Sequence, residues 1–155
     1  MERDETRTLL RRLIYRAPRY GFVDRRLYEG LERFREEGLE KDPLFVVGTA
    51  MTRFLNLSPR HPGVVESFDQ TMQLATGPSP RPLEYFVYLH GVLARLDILA
   101  EGGVNEAVRR VLELPPDRDI YRAALLIAEK APNDILYRRV ARTARMVFPQ
   151  TFEMI

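Results

Sequence analysis

Apolar side chains recur at spacings of three and four along almost the whole chain, and no stretch alternates with period two for long enough to suggest a strand. The pattern predicts an all-α protein. From about Asp4, Leu9, Leu10, Leu13, Ile14 and Ala17 fall on one stripe of a first helix, which Pro18 is expected to end. Asp24 is placed to cap a second helix with Leu27, Tyr28, Leu31 and Phe34 on its inner face, and Gly38 supplies the stop. Asp42-Pro43 opens a third, because the carboxylate accepts orphan amides while proline gives up only a donor that a first turn does not use. Leu44 to Leu55 then carries one charge, Arg53, which marks this helix as central.

After a turn at Ser58–Gly63, the residues Val64, Val65, Phe68, Met72 and Ala75 define a fourth helix closed by Gly77. The proline-rich loop Gly77–Pro82 is too stiff for a floppy linker and too short to separate domains. A fifth helix is expected from Leu83 to the Gly102-Gly103 pair, and a sixth, capped by Asn105, up to Pro115-Pro116. A seventh spans about Asp119 to Ala131, and an eighth runs from Asn133 or Asp134 to Phe148. The expectation is one compact bundle of about eight short helices over residues 1–148, with the third, fifth and seventh inside. Stacked antiparallel hairpins are the alternative arrangement. Residues 149–155 form an apolar tail that includes Phe152 and Ile155.

Charge adds one feature to this picture. Of the 24 lysines and arginines only Lys41 and Lys130 are lysine, so the net charge of +2 rests on arginine, whose planar fork matches carboxylate and phosphate. With Leu9 at 0°, the apolar stripe of the first helix covers about 0 to 140°, while Arg7, Arg11, Arg12 and Arg16 occupy about 160 to 340°. Tyr15 lies between them, and Arg19 and Tyr20 continue the theme. On the eighth helix Arg138, Arg142 and Arg145 repeat beside a stripe of Leu136, Val140, Ala144, Val147 and Phe148, with no acid between Ile135 and Phe152. These arginines, Tyr15, Phe152 and Ile155 are the candidate binding residues. They suit an acidic surface on a protein partner or on a second copy, where Arg and Tyr are favoured contacts. The alternative is a phosphate backbone, with a tyrosine stacking on a base. Against both stands neutralisation at home by Glu29, Glu32, Glu36 and Glu37 of the second helix.

Candidate chemistry is sparse. Without cysteine there is no disulfide, no thiolate nucleophile and no thiolate metal site. Phosphate loops, zinc helices, calcium loops and nucleophile elbows have no counterpart in the sequence. His61 sits in a proline-rich turn. His90, Asp97 and Glu101 would share a helical face within about 40°, yet separations of about 10 to 16 Å along the axis are too long for one metal ion. Leu83 to Ala100, the longest apolar stretch, carries Glu84, His90, Arg95 and Asp97, so it reads as a core helix and not a membrane span. The first residues mix both charges with no apolar run behind them, which points to the cytoplasm. The sequence therefore predicts a non-enzymatic interaction or assembly subunit that needs no cofactor or metal and is oligomeric or bound to a protein partner. The alternative is a nucleic-acid-binding helper or regulator.

Overall fold

Glycine, not proline, ends the first helix. In the computed structural model, which describes residues 2–21 and 23–153, α1 (Glu2–Tyr20) carries Pro18 inside its last turn and stops at Gly21, whose φ of +69° is left-handed. A proline there forfeits one backbone donor, too little to break a turn that a left-handed glycine then terminates. The second helix, α2 (Arg25–Glu36), begins on Asp24, whose side chain accepts from the Arg26 amide, as its position predicts. It closes through Gly38 at φ +74°, with Leu39 N–H donating to the Phe34 carbonyl and Gly38 N–H to that of Arg35. Tyr28 departs from the expected inner face. It is exposed, and its hydroxyl accepts from Asn56 Nδ2 at 2.6 Å.

The third helix, α3 (Pro43–Asn56), starts at the Asp42 cap with proline in its first turn and buries most of its circumference. Its one charge, Arg53, donates to the Gly63 carbonyl and to Ser67 Oγ, tying it to α4 (Pro62–Ala75). The cap of α4 is His61, whose Nδ1 accepts from the Gly63 amide at 2.9 Å. The fifth helix, α5 (Pro82–Ala94), packs on α3 and α4, and α1 lies against α2, α3 and α5. These five helices, up to Ala94, form one compact unit.

A second unit begins at Arg95. The fifth helix thus ends well before the expected Gly102-Gly103 break: residues 95–98 turn, with the Ile98 and Leu99 amides both donating to the Arg95 carbonyl. The two glycines lie within α6 (Glu101–Arg109), whose N-cap position is Ala100 and not Asn105. They are tolerated because they occupy a first turn, where most amides have no helical partner. A 3-10 turn (Arg110–Glu113) follows, then α7 (Arg118–Lys130) on the Asp117 cap and α8 (Asp134–Val147) on the Asn133 cap. The tail forms a single turn, α9 (Pro149–Phe152). The core of this unit is Val104, Val108, Ile120, Tyr121, Ile127, Leu136 and Val140. The described residues form nine helices and no strand, an all-α fold.

Candidate functional site

Among the described arginines of α1, Arg7 is paired, while Arg11, Arg12 and Arg16 face solvent. Arg7 forms a bidentate ion pair with Asp42, Nη1 donating to Oδ1 at 3.3 Å and Nη2 to Oδ2, and its guanidinium lies 5.2 Å from the centroid of the Phe34 ring. The hydrogen bond from Arg7 holds the Asp42 carboxyl below the usual carboxylate range, helped by the Leu44 amide, and the same bond raises the arginine. Arg7 is therefore satisfied within its own unit, contrary to its reading as a binding residue. Arg11, Arg12, Arg16 and Arg19 are exposed, and no carboxylate of the described residues stands within 4 Å of Arg11, Arg12 or Arg16. Two acids of α2 are engaged on their own helix instead, Glu29 with Arg25 and Glu32 with Arg35. Tyr15 is half-buried with its ring 4.8 Å from that of Phe86.

Arg7, Arg11 and Tyr15 also line a cleft of about 280 Å³ that runs past Leu44 and Val47 of α3 to Arg81, Leu83 and Glu84 at the start of α5. Glu84 is 8% exposed. Neither Arg81 nor Glu84 was singled out by the sequence as a binding group, because a carboxylate in an apolar run has no periodic signature. Only its position three residues after Arg81, in a first turn, hinted that both would meet one space.

On α8 Arg138 and Arg142 are open to solvent. Arg138, Arg139, Arg142 and Arg145 are all exposed, and among the described residues no carboxylate lies within 4 Å of Arg138 or Arg142. Leu136, Val140 and Ala144 are buried as expected, while Val147 is not. Two further residues stand on the arginine side: Ile135 at 74% and Met146 at 77% exposure. Eleven positions apart, they project within about 20° of each other and about 16 Å apart along the axis, bracketing Arg138 and Arg142. That pairing is visible on a helical wheel and is the part of this site the sequence reading missed.

Phe152 is 4% exposed, with its ring 6.3 Å from Tyr121 and 6.4 Å from Phe148, so it fills the core of the second unit and is not presented for a partner. Arg118 and Arg122 lie over the Phe148 and Phe152 rings. Ile155 lies outside the described residues. His90, Asp97 and Glu101 do not share a helix: His90 belongs to α5, Asp97 to the following turn and Glu101 to α6. His90 packs on Phe86, and desolvation lowers its pKa to about 4. Among the described residues no group of three potential metal ligands comes together, and no helix is long and apolar enough to cross a membrane.

In comparisons with protein-family models, with curated proteins and with solved structures, nothing matches this chain significantly. The functional reading therefore rests on the geometry alone.

Proposed function

We propose that the chain is a non-enzymatic interaction subunit that docks the exposed face of α8 on an acidic protein partner. The observation that carries this is the pair Ile135 and Met146, two large apolar side chains standing in water on either side of Arg138 and Arg142. Arginine with apolar anchors at its flanks is the composition of an interface centre, where desolvated charge pairs and filled pockets carry most of the binding energy. A phosphate backbone would use the arginines but has no pocket for an isoleucine and a methionine, so protein is favoured over nucleic acid. A second copy is disfavoured as well. A two-fold pairing of this face would bring Arg138 of one copy towards Arg142 of the other, and like charges in an interface are repelled.

The test is affinity capture from the source cells with the wild type and two paired variants, Arg138→Glu with Arg142→Glu and Ile135→Asp with Met146→Asp, each first shown to be folded by circular dichroism. The expected result is an acidic protein retained by the wild type and released by both pairs, whose binding to purified wild-type chain weakens as salt rises. The same proteins retained by all three forms would overturn the proposal. So would short DNA or RNA that binds at low salt and is released by the arginine pair but not by the apolar pair, the outcome that belongs to a nucleic-acid surface.

A further inference from the structure

We infer that the cleft between α1, α3 and the first turn of α5 binds a small apolar amino acid, with its ammonium group on Glu84 and its carboxylate on Arg11 and Arg81. Four of the charges around this space are accounted for in pairs or exposed to water: Arg7 and Asp42 neutralise each other, and Arg11 and Arg81 reach solvent. Glu84 is different. The residue is 8% exposed, lines the cleft, and has no hydrogen bond or ion pair with any described residue. A largely buried carboxylate whose oxygens are reached only through a cleft gains from a cation or hydrogen-bond donor that enters there. The positive end of α5 lessens the cost of that burial, but no amide of the turn donates to this carboxylate.

Opposite charges thus share one cleft without closing on each other. Neither Arg11 nor Arg81 stands within 4 Å of Glu84, so the separation is left for a molecule that carries both charges itself. Arginine's fork receives a carboxylate through two parallel N–H bonds, and a carboxylate with spare lone pairs receives an ammonium. The rest of the lining is largely apolar, with Leu44, Val47 and Leu83 beside the Tyr15 ring, which calls for a hydrophobic side chain on the ligand. The volume of about 280 Å³ is near the lower limit for small-molecule sites and far below what a docked helix occupies.

Three probes with one apolar body decide it: phenylalanine, 3-phenylpropanoate, which lacks the ammonium, and phenethylamine, which lacks the carboxylate. Binding to the full chain is followed by calorimetry and by amide shifts in nitrogen-15 spectra. Phenylalanine is expected to saturate, with shifts at Tyr15, Val47 and Leu83, and each truncated probe to bind about 10- to 100-fold more weakly. Glu84→Gln should abolish the preference for phenylalanine over 3-phenylpropanoate, and Arg11→Ala with Arg81→Ala the preference over phenethylamine. If Glu84→Gln does not fold, the probe series on the wild type still decides. Equal binding of the three, shifts confined to residues outside the cleft, or no saturation of phenylalanine by about 10 mM would overturn the inference.

Discussion

The Asp42 carboxylate serves two elements at once: it caps α3 by accepting the Leu44 amide at 2.9 Å, and it receives the guanidinium of Arg7 from α1, 35 residues earlier. Asparagine can keep the first role and not the second, which makes the two separable. Asp42→Ala should destabilise the chain by about 2 kcal/mol and Asp42→Asn by about 1 kcal/mol, the difference being the cap. Denaturant unfolding measures both. Equal losses for the two variants would mean that the cap contributes nothing, and no loss in Asp42→Asn would mean the same of the ion pair.

Acid should weaken the fold in a window set by His90. Desolvation lowers its pKa in the folded chain to about 4, against an ordinary value of 6.5. Between those values the unfolded chain binds a proton that the folded chain refuses, so stability falls as pH falls from about 6.5 to about 4. Going from pH 7 to pH 4.5 should cost about 2 kcal/mol through this group alone. Asp42, held below its ordinary value by Arg7, adds its loss only at lower pH still, as its own carboxylate protonates. His90→Leu should flatten the stability profile between pH 7 and 4.5, as followed by denaturant midpoints. A profile unchanged in that variant would show that other groups set the acid sensitivity.

What could be read from the sequence was what neighbours within one or two turns determine. Asp24 and Asp42 announced their helices, and Gly38 its stop, because a cap is a contact between residues two or three apart. Pro18 and the Gly102-Gly103 pair misled for the converse reason: each is a breaker by composition, yet Pro18 costs α1 a single donor in its last turn, and the glycines sit in a first turn most of whose amides have no helical partner. The misplaced end of α5 then carried a false cluster with it, since His90, Asp97 and Glu101 met only on a helix that does not exist as drawn. Segregation of the arginines was legible, but their pairing was not. Arg7 finds Asp42 across the packing of α1 on α3, and Glu84 comes to share a cleft with Arg11 only once α5 is docked. Phe152 shows the same limit, because an apolar tail has the same sequence whether it docks at home or elsewhere.

The glycines that the sequence could not rank are separated by what surrounds them, and two substitutions should have opposite signs. In α5 a Cβ on Gly91 would stand 2.7 Å from Cζ of Phe54 on α3 and 3.1 Å from Cδ2 of Phe68 on α4. Both are buried rings with little room to withdraw, so overpacking by about 1–3 kcal/mol outweighs the roughly 0.5–1 kcal/mol that alanine gains over glycine within a helix. A Cβ on Gly103 in α6 meets nothing within 4 Å, which leaves only the helical gain. Gly91→Ala should therefore lower stability by about 1–2 kcal/mol, and Gly103→Ala should raise it by about 0.5 kcal/mol. Thermal and denaturant unfolding of the two variants beside the wild type supply the comparison. A stabilised Gly91→Ala would mean that α5 can move away from Phe54 and Phe68, and the close packing of α3, α4 and α5 would lose its claim to fix the position of Glu84.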